Sequence, residues 1–128
     1  MPFETSAIVV INRNSIFKVQ KCKRCVPRLD EIIRRLRFEF EEEGETNART
    51  AAGGLSRKYE VLELFGNEPY QEQVRIFRRA AVVIAPHGAA LTSMLHCPAG
   101  KTNIVEFIHM HNVNRQWFMI MAAKLGLP

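Results

Sequence analysis

The sequence predicts an α/β fold, a parallel sheet covered by helices on both faces. Two observations carry that reading. Short apolar, β-branched runs alternate along the chain with segments whose apolar residues recur at helical spacing. The 128 residues suit one compact domain, and 47% hydrophobic residues supply enough apolar side chain for a core.

The elements follow in chain order. Ala7 to Asn12 (AIVVIN) reads as a buried strand. Arg13 to Arg28 is a basic loop, in which Pro27 argues against a continuous helix. Leu29, Ile32, Ile33, Leu36 and Phe40 then repeat at helical spacing, and Asp30 and Glu31 complement the dipole at the start. This helix is expected to end near Gly44. Glu45 to Arg57 is small and polar and reads as a loop. Tyr59 to Leu64 alternates as a strand does, and Gly66-Asn67-Glu68-Pro69 is a turn. Tyr70, Val74, Phe77 and Ala81 form the inner stripe expected of the next helix, with Glu72, Arg75, Arg78 and Arg79 outside. A strand over Ala81 to Ala85, a short helix ending near Cys97-Pro98 and a strand over Asn103 to Ile108 follow. The last helix is expected from Asn114 to Leu125, with Trp117, Ile120, Met121 and Leu125 inward and Gly126 as its stop.

Charge and cysteine content narrow the function classes. The formal net charge is +5. Arg13, Lys18, Lys21, Lys23, Arg24 and Arg28 fall in one acid-free stretch, balanced by an acidic block from Glu39 to Glu45. That pattern suits a compact anionic ligand better than a long nucleic-acid footprint. A solvated basic loop fits it equally. A polyanion-binding module is the alternative function, but Phe17 is the only aromatic in the stretch, so stacking on bases has little support. Three cysteines form no disulfide framework. Cys22-Lys23-Arg24-Cys25 is a lone CxxC, and a structural zinc site would need a second pair, which is absent, although His96, Cys97, His109 and His111 could in principle contribute ligands. No metal cofactor is expected. No apolar run is long enough to span a bilayer, and no targeting segment is recognisable.

The candidate site lies in Ala81 to Pro98, AVVIAPHGAALTSMLHCP. A buried strand stops at Pro86, the chain turns at His87-Gly88, and apolar spacing at Leu91, Met94 and Leu95 begins a helix. Turns at the carboxyl end of a parallel strand are where ligands bind in open α/β sheets. Free N–H groups of a new helix favour phosphate there. The loop after Asn12, the His87 turn and the segment after Ile108 are expected on one rim, which puts Arg13, His87 and Glu106 near one ligand.

Ala85-Pro86-His87-Gly88-Ala89-Ala90-Leu91-Thr92, then Met94-Leu95 and Cys97-Pro98, then Ile104-Val105-Glu106-Phe107, resembles the core motif of glycosyltransferase family 61. The flanks resemble it as well: Val9 to Arg13, Tyr70 to Gln73 with Phe77 and Ala80, and Trp117 with Lys124 to Leu127. Between Lys18 and Pro27 the chain departs from the family, and Arg24 or Arg28 stands in for its second Arg. The resemblance implies a Rossmann-like domain, residues 1–128, as the C-terminal, donor-binding half of a GT-B glycosyltransferase. It implies a nucleotide-sugar donor, expected to be a UDP-sugar, and inverting transfer to a glycan or glycoprotein hydroxyl without a metal. It further implies a separate N-terminal half for the acceptor, and a parent protein in the Golgi or endoplasmic reticulum lumen. A truncated, inactive relative is the remaining alternative.

Each site residue has a functional and a structural reading. His87 contacts a donor phosphate or stabilises the leaving group, or it caps the helix. Gly88 permits close approach, or is only a tight turn. Ala89, Ala90 and Thr92 offer amides to phosphate oxygens, and Thr92 alternatively satisfies nearby backbone. Arg13 holds the pyrophosphate as a two-pronged donor, or forms a surface ion pair. Glu106 accepts from a ribose hydroxyl, or bonds neighbouring backbone. Trp117 reads as core or as a lid.

Overall fold

The computed structural model describes residues 5–14, 25–42, 59–108 and 116–128. Four strands, β1 (Ala7–Ile11), β2 (Glu60–Leu64), β3 (Ala80–Pro86) and β4 (Asn103–Phe107), form one sheet in the order β2-β1-β3-β4. All three pairings are parallel. The parallel sheet with flanking helices is therefore Rossmann-like.

β1 lies in the middle, and all five of its residues are buried. Its alternating side chains divide the core in two. Ala7, Val9 and Ile11 join Leu64, Phe77, Val83, Ala85, Leu91 and Met94 on one face. Ile8 and Val10 join Val26, Leu29, Ile33 and Val61 on the other. A strand walled on both faces needs the unbroken apolar run seen in the sequence. Helix α1 (Leu29–Arg37) covers the second face. Helix α2 (Tyr70–Phe77), a 3-10 helix (Ala89–His96) and helix α3 (Trp117–Lys124) cover the first.

Helix α1 follows its pattern, with Leu29 and Ile33 buried, Asp30 and Glu31 at its start, and Arg34, Arg35 and Arg37 at its end. α-Helical geometry stops at Arg37, short of the expected end, and the chain continues as a π-helical turn over Phe38–Glu42. That wider turn ties the helix to β2. Glu41 accepts from the Val61 amide at 2.6 Å, and the Phe40 and Tyr59 rings meet edge to face at 6.0 Å. An exposed edge N–H is thereby occupied.

Two inner faces differ from the sequence pattern. In α2 the buried residues are Ile76 and Phe77, while Tyr70 is 66% exposed and Ala81 already belongs to β3. Gln73 occupies the inner stripe instead, because its side chain bonds across to the 3-10 helix. In α3 the face turned to the core is Phe118, Met121, Ala122 and Leu125, while Trp117 and Ile120 are exposed. Nearly every residue of α3 is apolar, so periodicity alone does not select a face. Its end is a Schellman turn: Gly126 has φ 71°, and the Leu127 amide donates to the Ala122 carbonyl at 2.9 Å.

No described helix is long and apolar enough to cross a membrane. Cys25 is disulfide-bonded, which the odd cysteine count did not predict, and Cys97 is a free thiol. Lys18, Lys21, Cys22, Lys23, Arg24, His109 and His111 lie outside the described residues.

Candidate functional site

The strand order creates the site. From β1 the chain moves outward to β2, then crosses back to place β3 on the other side of β1. Loops leaving β1 and β3 therefore diverge at the carboxyl edge and open a crevice between them. A cavity of about 330 Å³ occupies that crevice. Its walls are Ile11 at the end of β1 and Arg13 after it, Gly66 after β2, Gln73 on α2, Pro86 at the end of β3 with His87 to Ala90 after it, and Ser93.

The wall after β3 is largely backbone. Leu91 donates to the Gly88 carbonyl at 3.0 Å, which closes the first turn of the 3-10 helix. Among the described residues, no group accepts a hydrogen bond from the amides of Gly88, Ala89 or Ala90. Three adjacent donors therefore remain at the cavity wall. Gly88 has φ 165°, extended backbone open to any residue, so it offers a bare wall and not a special turn.

His87 is fixed from three directions. Its amide donates to the Phe107 carbonyl at 2.9 Å. Its Nδ1 lies 2.5 Å from Glu106 Oε1, and both side chains are largely buried. The Phe118 ring meets the imidazole nearly edge-on at 5.1 Å. A carboxylate on one ring nitrogen sets the tautomer and leaves Nε2 as the nitrogen available to a ligand. β3 and β4 bring this pair together because Ala85 and Glu106 are register partners.

Arg13 is held by the turn after β2. Its Nη1 donates to the Phe65 carbonyl at 3.2 Å. The guanidinium lies over Gly66, where a Cβ would sit only 2.2 Å from Nη1. The same turn is fastened by Glu68, whose carboxylate accepts from the amides of Phe65 at 2.5 Å and Gly66 at 3.0 Å. Gln73 links this turn to the third wall: its Nε2 donates to the Glu68 carbonyl at 2.8 Å, and its Oε1 accepts from Ser93 at 3.1 Å.

Of the residues singled out in the sequence, Arg13, His87, Gly88, Ala89 and Ala90 line the one cavity. Glu106 stands behind His87, and its carboxylate engages that ring. Thr92 is exposed and is not among the lining residues. Arg28 pairs with Glu31 at 3.1 Å on α1. His96 bonds the Tyr70 hydroxyl at 3.0 Å. Sequence reasoning missed Gly66, Gln73 and Ser93. Gly66 carried a signal, since a glycine turn directly after a parallel strand falls on the same rim. Gln73 and Ser93 carried none, because polar residues on a helix read as solvated. Among the described residues, no group of three or more His, Cys, Asp or Glu is placed to hold a metal ion.

The family model for glycosyltransferase 61 matches residues 2–105, most of the chain and both loops that build the cavity. No curated protein and no solved structure matches the chain. The match spans β1 to β3 and the His87 turn, so the chain belongs to the glycosyltransferase 61 family.

Proposed function

We propose that the chain is the donor-binding domain of a glycosyltransferase, holding the diphosphate of a UDP-sugar in the β1/β3 crevice. Family membership supports a glycosyltransferase-type role. The observation that carries the finer reading is the pairing of a cation with open amides across one cavity. Arg13 stands on one wall and the Gly88 to Ala90 amides on the other. A diphosphate presents several charged oxygens and suits donors offered by two loops of one cavity. Hydrogen bonds to a charged group contribute roughly 1.5–3 kcal/mol each, and several together offset the freedom lost on association.

His87 serves the leaving group in this reading. In an inverting transfer the acceptor oxygen attacks the anomeric carbon, and the bond from that carbon to the phosphate oxygen breaks. Negative charge then grows on the diphosphate. With Nδ1–H held by Glu106, Nε2 donates to that charge when the ring carries its second proton. Glu106 is a positioning residue here, and Thr92 lies outside the proposed contacts.

The acceptor, a glycan or glycoprotein hydroxyl, and the base that deprotonates it belong to an N-terminal half of a GT-B enzyme. The Cys25 disulfide supports an oxidising lumen, Golgi or endoplasmic reticulum, for the parent protein. Titrating isotope-labelled protein with UDP tests the assignment. Amide shifts centred on Gly88, Ala89 and Ala90, weakened by Arg13→Ala, are expected. A folded protein whose resonances stay in place at millimolar UDP overturns it.

A further inference from the structure

Gln73 lines the cavity from α2, and both ends of its amide are engaged. Nε2 donates to the Glu68 carbonyl at 2.8 Å, and Oε1 accepts from the Ser93 hydroxyl at 3.1 Å. The orientation is fixed, because a carbonyl can only accept and so takes the NH2 end. Each end leads to a different wall. Glu68 holds the Phe65 and Gly66 amides, and the Phe65 carbonyl accepts from Arg13. Ser93 belongs to the 3-10 helix that begins with Ala89 and Ala90. One chain of hydrogen bonds thus runs from the guanidinium to the helix that carries the open amides, with Gln73 as its middle link. The sheet does not supply this link: β1 separates β2 from β3, so no strand pairing fixes the turn after β2 against the loop after β3. A second polar contact between α2 and the 3-10 helix, Tyr70 to His96, is exposed and engages neither Glu68 nor Ser93.

We propose that Gln73 is a positioning residue: it sets the gap between the two walls, and that gap selects a diphosphate over a monophosphate. This inference rests on the donor-binding reading above. A diphosphate gains from both walls only when they stand at a fixed distance. A single phosphate is satisfied by one wall and is indifferent to the gap. A brace that holds the walls in place before binding lowers the ordering cost for the ligand that must span them, and for that ligand alone. The donor class is therefore a sugar carried on a nucleoside diphosphate, not one carried on a nucleoside monophosphate.

The brace can be cut at either end. Ser93→Ala removes the link to the 3-10 helix and changes only one hydroxyl, so it carries the test even where a bolder variant unfolds. Gln73→Met keeps the length of the side chain and removes both links. Wild type, each variant and the double variant are titrated with UDP and UMP by calorimetry. Each single variant is expected to weaken UDP by about three- to tenfold while UMP stays near its wild-type affinity. The double variant is expected to bind UDP no more weakly than Gln73→Met alone, since a brace already cut cannot be cut again. A merely structural role would move both nucleotides together, so equal losses for UDP and UMP overturn the proposal. Unchanged UDP affinity in Ser93→Ala overturns it too, and so do additive losses in the double variant. Wild type that takes UMP as tightly as UDP also overturns it and leaves the donor reading standing. Wild type that binds neither removes the donor reading, and the brace with it.

Discussion

Replacing Gly66 by alanine separates the role of Arg13 from the stability of the turn that holds it. Gly66 has φ 90°, and an added Cβ would stand 2.2 Å from Arg13 Nη1. That clash is with the end of a flexible side chain, so Arg13 swings away and the steric term largely disappears. Two costs remain. A side chain at positive φ costs about 1–2 kcal/mol. The lost bond from Arg13 to the Phe65 carbonyl costs about 1 kcal/mol. A loss of about 2–3 kcal/mol lowers the melting temperature of a domain of this size by about 8–12 °C. The functional effect comes from the displaced guanidinium. One charge-assisted contact of about 1.5–3 kcal/mol corresponds to about 10- to 100-fold in UDP affinity. Calorimetry on Gly66→Ala, Arg13→Ala and the double variant, at a temperature where all are folded, resolves the chain of cause. If Gly66 acts through Arg13, the double variant binds UDP no more weakly than Arg13→Ala alone. Additive losses, or Gly66→Ala with wild-type affinity, refute the reasoning.

Three further outcomes are expected. Glu106→Gln keeps the shape behind His87 but removes its charge, so UDP binding falls severalfold, less than the roughly tenfold expected of His87→Ala; calorimetry and the His87 ring resonances check both. Thr102→Val removes a fully buried hydroxyl that donates to the Ala80 carbonyl at 2.6 Å, leaving that carbonyl without its side-chain donor. Denaturant unfolding is expected to show about 1–2 kcal/mol less stability. Burial pushes the Cys97 thiol up to about 11, so thiol-reactive dye labels it slowly at pH 8 and faster as pH approaches 11. The sign for stability follows: the unfolded thiol ionises near 9 and the folded one near 11, so Cys97 makes stability fall as pH rises between those values.

The strands and the His87 turn were legible because their signals are local. An unbroken apolar run such as Ala7 to Ile11 needs apolar walls on both sides, and the structure supplies them. The turn at His87-Gly88 is fixed by Pro86 ending one period and Leu91 beginning another. The inner faces of α2 and α3 were legible only in part, at Phe77, Met121 and Leu125, and the rest was hidden for opposite reasons. Helix α3 has more apolar residues than a single buried stripe requires, so the pattern points in several directions. In α2 an amide side chain, Gln73, takes an inward place because partners await it on Glu68 and Ser93, and those partners are remote in sequence. Strand order was also beyond local signals. It decides that Arg13 and His87 share one cavity, and it depends on crossovers that no residue spells out.

The composition of the cavity wall bears on where the remaining chemistry lies. Among the described residues, none that lines it is a carboxylate. Glu106 engages His87, and Glu68 engages the Phe65 and Gly66 amides. This wall offers donors: a guanidinium, backbone amides and one imidazole. The guanidinium and the amides suit a leaving diphosphate and cannot take a proton from an acceptor hydroxyl, and on this wall only an unprotonated His87 Nε2 can accept one. For an inverting displacement the attacking oxygen must arrive on the side of the anomeric carbon opposite the departing phosphate. In the proposed inverting reading, a base on that opposite side comes from the N-terminal half, which divides the leaving-group and acceptor roles between two domains. UDP-sugar bound by this chain alone is expected to persist without transfer, and transfer catalysed by the isolated chain, observed by mass spectrometry of a glycan acceptor, would contradict the division.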